Sequence, residues 1–590
     1  MSAEAAAGLF KPMAVYVTLG TLLIIFIGSM STMFKLRGGG QAIAKMLAAR
    51  PLEPDTNDIS ERRLVNVVEE MSIASGTPVP RIYVLDNEPA INAFVAGLRP
   101  TETVLVVTRG ALENFDRDEL QGVVGHEYSH IFNGDMRINV RLMAVLAGIL
   151  MIAQAGRVLM RSSGRSRGKG SGQAGLIGLG LFIIGYVGLF FGGLIKASIS
   201  RQREFLADAS SVQFTRNPGG IAGALWKIKQ HMEGSLLNNS HSDDISHFCF
   251  GEAVRYRLTS LMATHPPLDD RIRAIDPGYI SRVRGGRLTK SRSPESVPQQ
   301  PGGITATTAA GFTSLATATA QITADKVGNS VGEVNASHLD YAQNLHAAVP
   351  GDLLQAVHNI DSVQNAVYAM VIAGMKEEDR QPGLNILQAA SPRINTDMIA
   401  ALTGQVTAAG AQSRLALINM ALPSLKSLPE AQQTEFLTIL GSLIKSDKRY
   451  TVFEFALFTI LNGHLTETAN KNIREKYFKY TDVIREINIL ISMLSRAGTH
   501  NDNDAGLVHD RITRLFTNKS LSLVPKSGCT LTVVSSALHK LNLLSPLLKK
   551  TVIEACADCV IHDGRVLPAE AELLQAIAVS LDCPMPPLLA

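Results

Sequence analysis

Two histidines and a glutamate stand at the spacing of a metal-hydrolase motif. The stretch His126-Glu127-Tyr128-Ser129-His130 reads H-E-x-x-H. Residues four apart lie on the same face of a helix, so both imidazoles can reach one zinc ion. Glu127 then stands beside a metal-bound water and can act as its general base. The spacing predicts hydrolytic chemistry on zinc, although a helix that carries two surface histidines by chance has the same pattern.

The residues around this motif favour a helix. Asp116 is a candidate N-cap, and Glu119 stands three residues later, as a capping box requires. Asn133-Gly134 is a sequence at which helices commonly end. These signals predict that the whole motif lies on one helix, although the apolar pattern resumes soon after Gly134 and leaves its end open.

A second acidic pair supplies what such a site still lacks. Glu204 and Asp208 are also four apart and share one helix face. A zinc site of this kind needs a carboxylate ligand and a second acceptor that orients a ligand imidazole. We therefore predict Glu204 as the third metal ligand and Asp208 as that acceptor. Exposed acidic pairs at this spacing are common, and it is the H-E-x-x-H motif that favours the metal site.

Four ordered motifs resemble those of the HtpX-type membrane zinc endopeptidases, a family within the gluzincin group. Together they span roughly residues 60 to 280, about two-fifths of the chain. The resemblance implies a zinc-dependent endopeptidase that acts in the quality control of membrane proteins. The motifs are Asn92-Ala93-Phe94-Val95-Ala96-Gly97, His126 to Asp135, Arg203 to Asp208, and Thr264-His265-Pro266-Pro267 followed by Arg271-Ile272.

The resemblance also implies roles for residues outside the metal ligands. Asn92-Ala93-Phe94 would lie on an edge strand that aligns an extended peptide substrate by strand addition, with an ordinary buried strand as the alternative. His265 would stand near the zinc, as a catalytic residue that stabilises the oxyanion or as an occupant of the open metal position at rest. Arg271 would hold the structure. No tyrosine is an unambiguous proton donor, and Tyr256 is the one candidate.

Composition limits the possible partners and the compartment. The 590 residues carry a net charge of +4, which is too small to indicate a nucleic-acid partner. The five cysteines are too few and too scattered for a disulfide framework, so a reducing compartment is favoured for the soluble parts. Cys556 and Cys559 form a C-x-x-C without partners at zinc-finger spacing, and we predict that both lie in a helical core.

Three apolar stretches predict contact with a lipid bilayer. Residues 12–34 carry no charge and are predicted to be a retained anchor, with a cleaved signal peptide as the alternative. Residues 142–156 and 170–195 are also uncharged, and a basic segment joins them. They predict a hydrophobic hairpin, residues 140–198, inserted between the first two zinc ligands and the third. A buried helical hairpin in a soluble domain is the alternative.

The flanking charges bear on orientation. Lys35, Arg37, Lys45 and Arg50 follow the first stretch and favour a cytoplasmic catalytic domain with the N-terminus outside. The basic segment inside the hairpin, 161–169, favours the opposite orientation if the hairpin spans the membrane. Together with the free cysteines, the first stretch predicts an integral protein of the bacterial inner membrane whose catalytic domain faces the cytoplasm.

The chain divides by pattern into four regions. Residues 1–37 form the anchor, 38–282 the metallopeptidase domain, 283–339 a flexible linker rich in Ser, Pro, Gly, Thr and Ala, and 340–590 a helical C-terminal domain. Strand patterns near 81–86, 91–96 and 103–108 predict a small sheet beside the zinc helix. The expected fold class is an α+β zinc-metallopeptidase domain, mainly helical, with transmembrane helices, followed by an all-α domain.

The C-terminal half contains a possible internal sequence repeat. Apolar residues recur at matching offsets around Asp447 with Glu454 and around Asp563 with Glu570, which predicts two related helix–loop–helix units. The second unit, near 545–582, resembles the TerB-like helical modules. Asp563 and Glu570 of this unit could touch a cation, but a helix cap with a salt bridge is about three times as common for two carboxylates. We expect this half to bind a regulatory partner.

These patterns predict a membrane-anchored zinc endopeptidase. His126, His130 and Glu204 would hold one zinc ion per chain, and Glu127 would take the proton from the attacking water. The substrates would be polypeptides, above all membrane or misfolded proteins. The alternatives are a non-catalytic membrane scaffold or adaptor with a structural zinc site, which the intact base and ligands disfavour, and a zinc hydrolase of non-peptide amides.

Overall fold

The computed structural model describes most of the chain. Predictions made for Tyr256, Thr264, Asp447 and Asp563, and for most of the linker at 283–339, lie outside the described residues. The described residues are 3–99, 102–163, 171–231, 234–238, 249–251, 265–285, 334–446, 451–465, 475–497, 501–561, 568–583 and 585–587.

The described residues form two compact units. The first comprises Met1–Leu52, Arg81–Val212 and Asn217–Tyr279, and the second comprises Glu53–Pro80, Gln213–Arg216 and Ile280–Ala590. The elements from the N-terminus to the end of the metallopeptidase motifs are, in chain order, α1 Ala3–Lys35, α2 Gly40–Met46, β1 Arg50–Pro51, α3 Ile59–Ser75, β2 Arg81–Leu85, β3 Ala93–Ala96, β4 Val104–Thr108, α4 Arg109–Asn114, α5 Arg117–Phe132, α6 Asp135–Ser163, α7 Ser171–Thr215, α8 Pro218–Gln230, α9 Leu268–Ile275 and α10 Tyr279–Arg284.

A small sheet lies in the first unit beside the helix that carries the H-E-x-x-H motif. Its strands follow the order β1-β2-β4-β3. The central strand β4 reads Val-Leu-Val-Val-Thr and is buried along its length, as expected for β-branched residues covered on both faces. It runs parallel to β2 and antiparallel to β3. Strand β3 therefore lies at the edge of the sheet, where it packs against α5.

Helix α5 begins where the local signals predict and ends just before Asn133-Gly134, the point that the sequence left open. The Asp116 side chain accepts from the Glu119 backbone N–H, and the Glu119 side chain accepts from the Asp116 backbone N–H, which completes the capping box. The helix ends at Phe132, and Gly134 follows with a left-handed φ of +68°. Because glycine adopts this conformation without steric cost, the chain turns there and starts α6 at Asp135.

Three helices of the first unit have the length and composition of membrane spans. The candidate spans are Thr18–Lys35 in α1, Asp135–Arg161 in α6 and Leu176–Thr215 in α7. Large apolar side chains along α1 and α7 are exposed, among them Phe26 and Ile184, as expected of side chains that face lipid. The predicted fold class, with its transmembrane helices, is confirmed. The uncharged stretch at 142–156 is short for a membrane span, but α6 continues past Arg141 and Arg157, so the helix as a whole is long enough to cross a bilayer.

Helices α1 and α6 pack closely through small residues. A Cβ atom added at Gly148 would lie 2.5 Å from the Ile25 carbonyl oxygen and 2.3 Å from the Ser29 hydroxyl. Only glycine allows the two backbones to approach this closely. Small residues at the contact are typical of helices that associate inside membranes, where apolar burial alone gives no driving force.

The second unit is helical. The resemblance to TerB-like modules remains a prediction. Its described helices after residue 334 are α11 Ala336–Ala348, α12 Gly351–His358, α13 Val363–Gly374, α14 Glu377–Ala390, α15 Thr396–Ala409, α16 Arg414–Ser427, α17 Glu430–Ile444, α18 Val452–Leu465, α19 Ile484–Ala497, α20 Asp502–Thr513, α21 Leu531–Asn542, α22 Pro546–Val560 and α23 Pro568–Ser580.

Two cysteines and one carboxylate of the second unit have structural roles. Cys556 and Cys559 lie buried in α22, so the prediction that both belong to a helical core is confirmed. Glu454 accepts hydrogen bonds from the backbone and side chain of Thr451 at the start of α18. This carboxylate therefore caps the start of the helix.

Helix α3 belongs to the second unit, although the sequence pattern places residues 38–282 in one domain. The helix is buried along most of its length and packs against α11 and α16. Its buried face carries a charge as well as apolar residues. Glu69 accepts one hydrogen bond from His346 at 2.9 Å and another from His358 at 2.6 Å. Both oxygens of this buried carboxylate are thus satisfied within the unit.

The glutamate–histidine cluster leads to a prediction for stability. Burial alone would raise the pKa of Glu69, but the charges and hydrogen bonds of His358 and His346 outweigh it and lower the pKa to about 2. Glu69→Gln should therefore reduce the free energy of unfolding of this unit by about 1.5–3 kcal/mol at neutral pH. Because the folded-state pKa lies below the ordinary 4.5, the difference between the two proteins should shrink as the pH falls from 4.5 towards 2.

The measurement is thermal unfolding of the full chain in detergent micelles, followed by circular dichroism at several pH values. Glu378→Gln is the matched control, because this exposed carboxylate of α14 lies 3.7 Å from exposed Lys376 and should contribute nothing measurable. Equal melting temperatures for Glu69→Gln and the wild type at pH 7 would contradict the prediction.

Candidate metal centre

Three side chains converge at the distances that one metal ion requires. The Nε2 atoms of His126 and His130 lie 3.2 Å apart. Glu204 places Oε2 3.6 Å from Nε2 of His126 and Oε1 3.7 Å from Nε2 of His130. Zinc bonds of about 2.0–2.1 Å in tetrahedral geometry put neighbouring ligand atoms about 3.3 Å apart. The three residues therefore fit a single ion.

Two helices supply these side chains. Helix α5 contributes both histidines from consecutive turns of one face, and α7 contributes Glu204 together with Asp208. Helix α7 is continuous over 45 residues, so the apolar run at its start and the acidic pair near its end belong to one rigid element. His126, His130 and Glu204 are all buried, which keeps their donor atoms away from bulk water.

Each imidazole is oriented by a carboxylate on its other nitrogen. Nδ1 of His126 lies 3.0 Å from Oδ1 of Asp208, as the sequence analysis expects. Nδ1 of His130 lies 2.9 Å from Oδ2 of Asp135. Such contacts leave Nε2 of each ring directed at the metal position. The sequence analysis did not identify Asp135 as an orienting residue. Its position directly after the turn at Gly134 was the one sequence feature that could have indicated this role.

Arg203 extends the contact on Asp135. Its guanidinium forms an ion pair with the Asp135 carboxylate, and it directly precedes the metal-site glutamate in α7. The pair connects the start of α6 to α7 next to the metal position. We infer that this ion pair helps to fix the register between the two helices that carry Asp135 and Glu204.

Arg271 joins the two acidic residues of α7 from a third helix. Its Nε and Nη2 donate to both oxygens of Asp208, at 2.8 and 2.7 Å, and its Nη1 lies 3.2 Å from Oε2 of Glu204. The side chain is fully buried. A two-pronged contact of this kind fixes the carboxylate that orients His126. The structural role expected for Arg271 agrees with these contacts.

His265 lies beside the same glutamate. Its Nδ1 is 2.9 Å from Oε2 of Glu204, and the residue is buried. The structure thus brings His265 into the cluster of ligand side chains, in direct contact with one predicted ligand. Its assignment to the oxyanion or to a resting metal position remains a prediction.

The general-base candidate presents one open oxygen. Glu127 is fully buried, and its Oε2 accepts a hydrogen bond of 2.9 Å from the backbone N–H of Val95 in β3. Its Oε1 has no hydrogen-bond partner among the described residues. A buried polar atom without a partner is costly, so a water molecule held at this position would relieve it. The donor set and this unpaired oxygen both fit a hydrolytic metal site.

Burial and neighbouring charges shift the pKa values of the motif in different directions. Burial lowers the pKa of His126 to about 4 and raises that of Glu127 to about 8. Burial would also lower the pKa of His130, but the hydrogen bond with Asp135 and the charge of Glu204 raise it to about 9. A bound cation would replace the proton on His130, because a ligating imidazole must be neutral.

The predicted substrate-binding residues lie on and beside the edge strand. Asn92 directly precedes β3, and Ala93 and Phe94 are its first residues. All three are buried. The Asn92 side chain contacts backbone groups of Ser235 and Gly251, which lie far away in the sequence. The substrate-binding role of these residues remains a prediction.

Comparisons with known proteins agree with this geometry. Residues 58–277 match the family model described as Peptidase family M48. The Protease HtpX homolog of Dictyoglomus thermophilum is 39% identical over 212 residues, which cover 36% of this chain and 68% of that protein. The Protease HtpX homologs of Streptococcus uberis and Levilactobacillus brevis are 34% and 35% identical, covering 43% and 44% of this chain and 85% and 86% of theirs.

No solved structure matches the chain. The family match ends at residue 277, so it includes α3 of the second unit but none of the helices α11 to α23. The helices of the metal centre, its ligand set and the candidate spans in α6 and α7 all lie in the matched region, and the candidate span in α1 precedes it. The chain therefore belongs to peptidase family M48, and it is a membrane metalloprotease of the HtpX type.

Proposed function

We propose that this protein is a zinc-dependent endopeptidase that cleaves membrane and misfolded polypeptides in the bacterial inner membrane, with its catalytic domain facing the cytoplasm. The single observation that carries the proposal is the convergence of His126, His130 and Glu204 beside the unpaired oxygen of Glu127. Three nitrogen and oxygen donors with room for a fourth group are typical of catalytic rather than structural zinc sites.

Each residue of the cluster has a defined task in peptide hydrolysis. Zinc, when held by the two histidines and Glu204, would acidify water and polarise the scissile carbonyl. Glu127 would accept the proton of the attacking water on its open Oε1 and pass it to the leaving amine. The Val95 backbone N–H holds the other oxygen of Glu127 in place. His265 would donate to the developing oxyanion.

The supporting residues keep this arrangement in one state. Asp208 and Asp135 hold the two imidazoles in the tautomer that directs Nε2 at the metal. Arg271 offsets one of the two negative charges of the acidic pair of α7 from inside the protein. A buried, preorganised set of charges acts more strongly on a developing negative charge than the same groups would in water.

The membrane helices support substrates that emerge from the bilayer. Helix α7 carries a candidate membrane span and both acidic residues of the cluster, and α6 begins at Asp135, which orients His130. The carboxylates of the proposed hydrolytic site that bind the metal or orient its ligands thus lie on two helices whose apolar parts are suited to lipid, whereas α5 supplies the histidines and Glu127. Polypeptide segments next to the membrane surface are the substrates that such a site would meet most often.

Metal removal tests the proposal. The full chain, purified in detergent micelles, should contain one zinc ion per chain and hydrolyse casein. Incubation with 1,10-phenanthroline should abolish both the zinc content and the cleavage, and added Zn²⁺ should restore both. A chain that still cleaves casein after complete removal of the metal would contradict the proposal. A membrane-protein substrate in the same micelles should be cleaved under the same metal dependence.

A further inference from the structure

The outer edge of β3 already holds a short stretch of the same chain. Cys249–Gly251, which we call the edge segment, lies along this strand. Phe94 forms an antiparallel bridge with Cys249, and the Phe250 backbone N–H donates a 2.7 Å hydrogen bond to the Ala93 carbonyl oxygen. The edge segment therefore occupies the side of β3 that faces away from β4.

The side chain of Asn92 extends this main-chain recognition by one residue. Its Oδ1 accepts from the Gly251 backbone N–H at 3.2 Å, and its Nδ2 donates to the Gly251 carbonyl oxygen, also at 3.2 Å. The amide thus contacts both polar groups of one residue, as a neighbouring strand would. None of these contacts depends on the side chains of Cys249 or Gly251, so any extended peptide could make them.

The side chain of Phe250 lies over the metal ligands. Its ring stands edge-on to the His126 ring with 4.9 Å between centroids, and the Arg271 guanidinium lies 4.9 Å from the centre of the Phe250 ring. Arg271 Nη1 also donates to the Phe250 carbonyl oxygen at 2.8 Å. Both Cys249 and Phe250 are buried. The edge segment thus extends from the edge strand to the metal centre.

Three outward-facing polar groups of β3 are engaged, at Ala93 and Val95. The Ala93 carbonyl oxygen accepts from Phe250, the Ala93 N–H donates to Asn92 Oδ1, and the Val95 N–H donates to Glu127 Oε2. One edge of a strand can pair with only one partner at a time. A substrate that adds to β3 at Ala93 must therefore take the place of the edge segment.

We propose that the edge segment is an autoinhibitory occupant of the substrate position on β3, and that a polypeptide substrate binds only after displacing it. The proposal rests on the endopeptidase function proposed above. Displacement replaces one set of main-chain hydrogen bonds with an equivalent set, because an incoming strand would make the same bonds to β3 that the edge segment gives up. Substrate binding therefore requires that the edge segment has left β3 in a fraction of the protein molecules.

This occupancy has a specific kinetic consequence. When only a fraction of the molecules is competent to bind, the apparent dissociation constant rises by the inverse of that fraction. Loosening the edge segment should therefore lower KM for a polypeptide while leaving kcat unchanged. A segment that merely supports the fold would give the opposite result, because disturbing it would reduce activity.

Gly251 offers a way to loosen the segment without touching the metal ligands. A Cβ atom at this position would lie 2.6 Å from Cβ and 2.7 Å from Oγ of Ser235, so Gly251→Ala forces Gly251 and Ser235 apart and removes the edge segment from its present fit. We expect this variant to lower KM for casein by about threefold to tenfold. Adding Ser235→Gly to the same chain removes the clash and should return KM to the wild-type value.

The thiol of Cys249 reports the displacement directly. In the Glu127→Gln chain, which should bind casein without cleaving it, saturating casein should accelerate labelling of Cys249 by N-ethylmaleimide several-fold, as measured by peptide mass spectrometry. Cys556 and Cys559 are buried in α22 and provide internal controls whose labelling should not respond. This measurement keeps the native edge segment, so it decides the matter even if Gly251→Ala fails to fold.

The possible outcomes separate the two proposals. A folded Gly251→Ala chain with unchanged or raised KM overturns the autoinhibitory role, and so does Cys249 labelling that bound casein leaves unchanged or slows. A wild-type chain that neither binds nor cleaves casein contradicts the proposed endopeptidase function instead.

Discussion

Replacing Glu127 by glutamine should reduce casein cleavage by a factor of about 10²–10⁴ while leaving one zinc ion per chain. Glutamine has nearly the same shape and can still accept the hydrogen bond from the Val95 N–H, which holds the side chain at 2.9 Å. It cannot take a proton from water at any ordinary pH. The loss should therefore fall on kcat, because the residue acts in the chemical step and not as a metal ligand.

Glu113→Gln is the matched control. Glu113 is an exposed glutamate of α4, just before the helix that carries the motif, and has no place in the metal centre. The measurement is steady-state cleavage of a fluorescent casein together with zinc content by atomic absorption. A Glu127→Gln chain that cleaves at the wild-type rate would remove the proposed base from the mechanism, and one that has lost its zinc would instead identify a structural role.

The second large effect is expected at Arg271. Arg271→Leu should lower the free energy of unfolding of the first unit by about 3–5 kcal/mol, because it leaves Asp208 buried without its ion-pair partner. The guanidinium is fully buried and makes hydrogen bonds to both oxygens of that carboxylate. The melting temperature should fall by on the order of 10 °C. Lysine should not rescue the variant, because an ammonium group cannot make the two-pronged contact.

Arg273→Leu is the control for this prediction. Arg273 lies two residues away on the same helix, but its ion pair with Asp270 is exposed. The side chain of Arg273 is 61% exposed and that of Asp270 is 54% exposed. Exposed pairs of this kind contribute little, so the melting temperature should be unchanged. Both variants are measured as full chains in detergent micelles by thermal unfolding. Similar melting temperatures for Arg271→Leu and Arg273→Leu would show that the buried pair is not a major source of stability.

The parts of the site that depend on local pattern could be predicted from the sequence. The capping box sets the start of α5, and the spacing of four residues places His126 above His130 and Glu204 beside Asp208. Helical periodicity carries this information within a few turns, so no tertiary contact is needed to infer it. The step that joins the two pairs at one metal came from what an H-E-x-x-H zinc site still requires, a carboxylate ligand and an acceptor that orients an imidazole, and the geometry of the three side chains agrees with it.

Contacts between distant parts of the chain were not predictable in this way. Asn92 and Gly251 are separated by 159 residues, and nothing in either local sequence indicates that they pair. Helix α3 groups with the second unit, where Glu69 meets two histidines that follow it by 277 and 289 residues. Asp135 orients His130 from just beyond a turn whose direction depends on the left-handed backbone at Gly134. Each of these contacts is decided by tertiary packing.

Under the proposed function, with the uncharged run of α7 as the part that lies in lipid, the unbroken length of this helix sets how far a substrate would have to protrude from the bilayer. Its uncharged run ends at Ile195, and Glu204 follows nine residues later on the same helix, a rise of about 13 Å. An extended polypeptide covers that distance with about four residues. Tails shorter than this would not reach the metal centre. The rigidity of α7 would therefore protect intact membrane proteins with short loops and favour the cleavage of those with unfolded termini in the aqueous phase.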